Sequence, residues 1–199
     1  MKRLLDIAAA SAGLLLLAPL LGLVALSIKL DSPGPVLFRQ ERIGRGFRPF
    51  WILKFRTMRQ SEAPGPAITA ENDPRITRLG RFLRRSKIDE LPQLVNVLKG
   101  DMSLVGPRPE VPRYVETFQR DYEEILAVRP GLTDLASLKY RNESALLGSS
   151  RDPEREYLER VLPDKIRLAK EYIRRSSFIF DLGLIAKTFR TILFPGGAS

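Results

Sequence analysis

The segment Ser86-Lys87-Ile88-Asp89-Glu90-Leu91-Pro92-Gln93 carries the strongest chemical signal in the chain. Its adjacent carboxylates, Asp89 and Glu90, point in different directions, so one can attack phosphorus while the other holds Mg²⁺. The plainer reading makes Asp89 the N-cap of the following helix, with Pro92 tolerated in the first turn. A helix N-terminus also stabilises an anion, and the same backbone amides favour a bound phosphate.

Arginines surround this pair in the sequence. Arg75, Arg78, Arg81, Arg84 and Arg85 precede it, and Gly106-Pro107-Arg108-Pro109 follows it. Stepping by three, Arg75, Arg78, Arg81 and Arg84 can share a helix face, for which a solvated basic surface is the default explanation. Arg108 differs because its flanking prolines hold the backbone in one direction. That suits a phosphate clamp, which works by being preorganised toward developing charge.

The chain of 199 residues has no histidine and no cysteine. Ser-His-Asp catalysis, thiol nucleophiles and zinc–thiolate sites are thereby excluded. Any acid, base or nucleophile is Asp, Glu, Lys, Tyr, Ser or Thr, and any metal is a hard, oxygen-bound one. Neither a Gly-x4-Gly-Lys-Ser/Thr phosphate loop nor a Gly-x-Gly-x2-Gly fingerprint occurs, which argues against an NTPase or a Rossmann enzyme. Gly44-Arg45-Gly46 reads as a turn.

The elements that must position these groups follow from patterning. Ile7 to Ile28 carries no charge and as a helix would be about 33 Å long, enough to cross a bilayer core of about 30 Å. A straight transmembrane helix is one reading; a cleaved signal peptide fits less well, because the apolar run is long for one. A third reading is a re-entrant helix kinked at Pro19, since basic residues flank both ends of the segment and the positive-inside rule places both on the cytoplasmic side.

Pro35–Gln40 and Pro49–Arg56 read as two strands of a hairpin, and Gln60–Ala70 as a loop. Arg75–Arg85, Glu90–Leu98 and 111–128 read as helices, and a polar loop spans Asn142–Asp152. Asp152-Pro153 fits an N-cap with proline at the first helical position. From Pro163 to Phe194 basic and apolar residues alternate, which suits either an ordinary amphipathic helix or one lying on a membrane surface.

The net charge is +10. Residues 31–60 hold seven basic side chains against Asp31 and Glu41, directly after the most hydrophobic segment. That placement favours anionic phospholipids over nucleic acid as a partner, and no nucleic-acid-binding motif is present.

These pieces, taken in order, resemble the bacterial sugar transferase family, the monotopic phosphoglycosyl transferases. The matching stretches are Gly34-Pro35-Val36-Leu37-Phe38-Arg39-Gln40-x-Arg42-x-Gly44, Lys54-Phe55-Arg56-Thr57-Met58, Asp73-Pro74-Arg75-Ile76-Thr77-x2-Gly80, and Arg84-x4-Asp89-Glu90-Leu91-Pro92-Gln93-x2-Asn96. Gly100-Asp101-Met102-Ser103-x-Val105-Gly106-Pro107-Arg108-Pro109 and Pro130-Gly131-Leu132-Thr133 with Arg141-Asn142 complete the set.

The resemblance implies an α+β, mainly helical fold with three parts: a re-entrant membrane helix over 1–30, a small β-hairpin, and a helical catalytic domain over 31–199 with interfacial amphipathic helices. It implies Asp89 as the nucleophile that forms a phosphosugar–aspartate intermediate with release of UMP, and Glu90 together with Asp89 as Mg²⁺ ligands. Lys54, Arg84 and Arg108 would contact phosphates, with Arg56, Arg75 and Arg141 as further candidates. The donor would be a UDP-sugar and the acceptor a polyprenyl phosphate, undecaprenyl phosphate in most bacteria. The site would lie on the cytoplasmic face of the inner membrane, and the apolar anchor leaves room for a homodimer.

Two departures stand out. Many members read Pro-Gly-Ile-Thr-Gly-Trp-x-Gln where this chain has Pro130-Gly131-Leu132-Thr133-Asp134-Leu135-Ala136-Ser137, so their sugar preference does not carry over. Many also show Asp-x-x-Tyr near the C-terminus, where this chain has Ala169-Lys170-Glu171-Tyr172, leaving that carboxylate missing or supplied elsewhere. The competing reading from another class is a non-catalytic basic module that binds membrane surfaces; it gives Asp89 and the Gly106–Pro109 element no task.

Overall fold

The computed structural model describes residues 2–59 and 73–194; the loop expected over Gln60–Ala70 lies outside them. Helix α1 (Lys2–Asp31) is a single helix of 30 residues that continues through Pro19. Pro19 removes the hydrogen bond to the Leu15 carbonyl, and the helix packs against the domain on both sides of it. Asp6, Ala10, Leu14, Leu21, Val24 and Ile28 recur at helical spacing and turn toward the rest of the chain. Ala10 and Leu14 meet Leu94 and Val97, while Leu21, Val24 and Ile28 meet Phe55 and Leu83.

Both ends of α1 are tied to this same body. Asp6, a carboxylate in an apolar helix, accepts from the Ser103 hydroxyl at 2.9 Å and the Leu104 amide at 3.0 Å. Lys2 Nζ donates to the Tyr172 hydroxyl and to Asp181, each at 2.7 Å. At the other end the Arg56 guanidinium donates to the carbonyls of Ser32 (2.7 Å), Ile28 (3.3 Å) and Pro33, in the last turn of the helix and just past its end. The opposite face of α1 is exposed leucine: Leu15, Leu16, Leu23 and Leu30.

Strands β1 (Leu37–Ile43) and β2 (Pro49–Phe55) form the expected antiparallel hairpin, in register from Leu37 opposite Phe55 to Ile43 opposite Pro49. The first strand starts two residues later than read and runs to Ile43. Its connection uses Gly46 at φ 67, a left-handed conformation that glycine adopts without steric cost.

Helix α2 (Arg78–Ser86) begins later than read because Thr77 caps it, its hydroxyl accepting from the Gly80 amide at 2.9 Å. The chain then turns through Lys87, left-handed at φ 59, into a short 3₁₀ turn over Ile88–Glu90. Helix α3 (Gln93–Lys99) starts only after that, with Pro92 at its cap position. Asp89 is therefore not the helix cap it was read as. Asn96 stitches α3 to β2, accepting from the Leu53 amide at 3.0 Å and donating to the Trp51 carbonyl at 2.8 Å.

A second, parallel pair joins β3 (Ser103–Val105) to β4 (Gly131–Thr133). Between them lie α4 (Pro112–Thr117) and α5 (Gln119–Ile125), where one helix was expected; the backbone bends at Phe118 (φ −117, ψ 36). Gly106 and Gly131 cross in contact: a Cβ on Gly131 would sit 2.1 Å from the Gly106 nitrogen. Two glycines are what lets the Pro107-Arg108-Pro109 loop lie against β4.

Helix α6 (Leu135–Lys139) follows, and α7 (Glu143–Gly148) fills part of the expected polar loop. Asp152 caps α8 (Pro153–Glu156) as read, accepting from the Arg155 amide at 3.0 Å. A π turn over Tyr157–Val161 leads into α9 (Leu162–Arg175), and Ser177 then caps α10 (Phe178–Leu193). The basic and apolar C-terminal stretch is thus two helices.

Helix α9 buries Leu162, Ile166 and Ala169 against Tyr114, Tyr122 and Ile125. Helix α10 packs Leu184 near Tyr172 and Val105 and exposes Phe178, Ile179 and Phe189. Near Ala169, the Tyr172 hydroxyl donates to a carboxylate of α10, Asp181, at 2.8 Å. The class is α+β and mainly helical, as read.

Candidate active site

The turn between α2 and α3 presents Asp89 and Glu90 to one wide cleft of about 2170 Å³. Asp89 is 7% exposed, and its Oδ1 is buried without a hydrogen-bond partner. Burial, then the neighbouring Glu90 charge, push its carboxyl up to about 6 against the opposing pull of Lys54, Lys87 and Arg84. Asp89 thus carries a carboxylate oxygen that no protein group engages.

Glu90 is in the opposite condition. Lys54, at the end of β2, donates to its Oε1 at 3.0 Å. Arg108 donates to Oε2 at 3.1 Å and also to Oε1, a two-pronged contact that only a guanidinium makes. Burial alone would raise the Glu90 carboxyl, but the Arg108 and Lys54 charges outweigh it and hold the group well below the usual range. Desolvation lowers the Lys54 ammonium, opposed by Glu90. The two adjacent carboxyls are thus driven apart by their surroundings, the mark of divided roles.

The arm carrying Arg108 is fixed from behind. The Asp134 carboxylate, 2% exposed, accepts from the Arg108 amide at 3.1 Å and from the Ser137 amide at 2.7 Å, capping α6 with the same group. Neither Asp134 nor Lys87 stood among the site residues read from the sequence. For Asp134 the available signal was an aspartate directly before a helical stretch; for Lys87 it was adjacency to the pair.

The other expected phosphate ligands divide by what they touch. Arg84, in the last turn of α2, donates from Nε to the Thr57 hydroxyl at 2.9 Å and lies near enough to Asp89 to oppose its raised pKa. Arg75 borders the cleft but pairs with Asp73, its NH2 lying 2.6 Å from Oδ2. Arg56 and Arg141 line the same cleft with their guanidinium groups turned to main-chain carbonyls: Arg56 to the end of α1, Arg141 to Thr191 in α10. These two serve as struts between elements. The structure brings Lys54, Glu90 and Arg108 into contact and sets Arg84 and Lys87 around Asp89.

One wall of the cleft is apolar. Leu5, Ala9 and Leu17 of α1 line it, as do Leu182, Ile185 and Phe189 of α10. Cations and an apolar wall therefore line the same cleft as the carboxylate pair.

Comparison with known proteins identifies the family. Residues 1–195 match the family described as Bacterial sugar transferase. The UDP-glucose:undecaprenyl-phosphate glucose-1-phosphate transferase of Caulobacter vibrioides is 44% identical over 201 residues, which is 99% of this chain and 71% of that relative. The Exopolysaccharide production protein PSS of Rhizobium leguminosarum bv. phaseoli is 41% identical over 206 residues, 98% of this chain and 96% of the relative. The UDP-N-acetylgalactosamine-undecaprenyl-phosphate N-acetylgalactosaminephosphotransferase of Aeromonas hydrophila is 42% identical over 203 residues, and this chain spans 44% of its length. With the ordered motifs, the carboxylate pair and a family match over nearly the whole length, the chain belongs to the bacterial sugar transferase family and is an enzyme of the sugar-phosphotransferase type.

Proposed function

We propose that the protein transfers a sugar 1-phosphate from a UDP-sugar to a polyprenyl phosphate through an aspartyl-phosphosugar intermediate. The observation that carries this reading is the contrast within the pair: Asp89 unpartnered, Glu90 held by Lys54 and Arg108. An Asp89 oxygen attacks the β-phosphorus of the donor, and the bond from that phosphorus to the bridging oxygen breaks. UMP leaves with the bridging oxygen and its electron pair. A phosphate oxygen of the lipid then attacks the same phosphorus, restoring the Asp89 carboxylate and yielding a diphosphate-linked sugar. One carboxylate thus divides a difficult displacement into two easier ones. Arg108, Lys54 and Arg84 neutralise charge on the phosphoryl oxygens, fixed beforehand by Glu90, Asp134 and Thr57.

A Mg²⁺ ion belongs to the same proposal. Such an ion takes one or two carboxylates and fills its remaining positions with phosphate oxygens and water. Asp89 Oδ1, buried without a partner, and Glu90 Oε2, which receives a single N–H, fit that set. When bound there, the ion would neutralise charge on the transferring group. Relatives named for glucose and for N-acetylgalactosamine are almost equally similar to this chain, so similarity does not select the sugar.

The expected result with purified protein, UDP-sugar and Mg²⁺ but no lipid acceptor is a burst of UMP approaching one equivalent per active site. Intact mass should rise by one sugar phosphate, and added undecaprenyl phosphate should discharge it. Turnover without burst or adduct, only when both substrates are present, would mean direct displacement instead.

The same proposal places α1 in the cytoplasmic leaflet, with the catalytic domain on the cytoplasmic face. Support comes from the attachment of both helix ends to one domain: a 30-residue helix standing across the bilayer would carry one end about 45 Å away. The native sequence lacks cysteine, so a cysteine added at the N-terminus can be probed alone. It should resist a membrane-impermeant maleimide in spheroplasts and react after lysis; labelling before lysis would refute same-side topology.

A further inference from the structure

Past Arg108 the cleft continues inward between β1, α4, α7 and α9, and the character of its wall changes. Near Asp89 the wall is basic, through Lys54, Arg84 and Arg108; toward α1 and α10 it is apolar. At the inner end the charges come in matched pairs. Lys165 Nζ lies 2.5 Å from Glu143 Oε2, and Arg42 lies 2.7 Å from Glu110 Oε1. The Tyr157 hydroxyl donates to the other Glu110 oxygen, and Lys165 sits 4.8 Å over the Tyr157 ring. The Glu143 charge also reaches Arg108, so this end adjoins the phosphate clamp.

Two buried polar groups here are left unmatched within the protein: the Tyr114 hydroxyl, in a residue 3% exposed, and Arg42 Nε. Both residues line the cleft. A buried hydroxyl without a partner is costly unless something else occupies the space beside it.

The donor's three parts differ in charge, and the three walls differ in the same way. The transferred phosphorus must reach Asp89, and the sugar is bonded to it through a single oxygen, so the sugar lies in a region adjoining Arg108. A strongly basic wall suits the departing nucleotide phosphate, and an apolar trough suits a prenyl chain. A wall of compensated charges with spare hydroxyl and N–H groups suits an uncharged, many-hydroxyl ring, which it can bind without a net field.

We propose that Glu143, Lys165 and Tyr114 form the subsite that selects the donor's sugar, a neutral pyranose recognised through its hydroxyl or acetamido groups. This assignment rests on the transferase reading above. It also accounts for how two relatives of nearly equal similarity are named for different sugars: selection resides in a few polar contacts at the inner end, apart from the Asp89–Glu90 chemistry.

The test compares kcat/KM for the preferred donor and its C4 epimer in the wild type, Tyr114→Phe, Glu143→Gln and Lys165→Gln. UMP inhibition constants are measured in parallel. Tyr114→Phe removes a hydroxyl that no protein group uses, so folding does not depend on it. At least one variant is expected to shift the epimer ratio tenfold or more, with UMP inhibition unchanged within about twofold, because a site built to hydrogen-bond a hydroxyl discriminates far more sharply than an apolar one. An unchanged ratio in all three variants, or a parallel loss of UMP binding, overturns the subsite assignment. Wild-type silence across the donor panel overturns the transferase reading on which it rests.

Discussion

Asp89→Asn is expected to lower UMP release on the order of 10³-fold or more while making the metal-free protein more stable. The loss of activity follows from removing the attacking oxygen while leaving shape and cleft intact. The gain in stability follows from the buried, unpartnered carboxylate. Its folded pKa, about 6, lies above the ordinary 3.8. Between those two values the native state binds more protons than the unfolded chain, so stability falls as pH rises through the interval and stays lowered above about 6.

The anion therefore costs up to about 3 kcal/mol at neutral pH, since each tenfold change in proton affinity is worth about 1.4 kcal/mol. The Asn variant is free of that penalty. Thermal unfolding in EDTA at pH 7.5 should place it several degrees above the wild type, and the difference should shrink toward pH 4. A variant that is both inactive and less stable at pH 7.5 would mean that Asp89 holds the turn together, and the nucleophile would have to be sought elsewhere.

The parts of the site that could be read from the sequence are those whose task is written in short-range pattern. Asp89 and Glu90 are adjacent, Arg108 is fenced by two prolines, and Lys54 stands on a hairpin strand with clear boundaries. Arg56 and Arg141 could not be told from phosphate ligands, because a long cationic side chain reaches several angstroms and the sequence does not say in which direction. Their partners, the carbonyls at Ser32 and Thr191, are set by the packing of α1 and α10.

The β3–β4 pair escaped notice because three-residue strands show no alternation. Its real signature was the two glycines, Gly106 and Gly131, whose close crossing is visible only once both segments are in place. The missing hydrogen bond at Pro19 could be read from the sequence, whereas the stripe from Asp6 to Ile28 that holds the helix against the domain is a tertiary effect. Asp89 as a helix cap failed by three residues: the 3₁₀ turn takes up Ile88–Glu90 and moves the start of α3 to Gln93.

Arg108→Ala is the second change with a large expected effect, and it separates charge from geometry. The Glu90 side chain is 16% exposed, and Arg108 supplies two of the contacts that hold its carboxylate. Removing one partner of a buried ion pair costs roughly 3–5 kcal/mol where no other counter-charge remains, and Lys54, still 3.0 Å from Glu90 Oε1, keeps the loss below that range. The phosphoryl oxygens lose a preorganised donor as well, for which a fall of about 10²–10³-fold in kcat is the usual scale.

Arg108→Lys distinguishes the two losses. It restores a positive charge but cannot reach both oxygens of Glu90 in one plane. Stability should recover most of the way, because the pair is again compensated, while kcat should remain at least about tenfold down, because a single ammonium cannot hold Glu90 and a phosphate oxygen in fixed geometry. Full recovery of kcat in the Lys variant would make Arg108 a mere counter-charge. An unaltered kcat in the Ala variant would remove it from the phosphate clamp altogether. The backbone of this residue is held by Asp134 through its amide, a contact that both substitutions preserve, so neither result can be ascribed to a displaced loop.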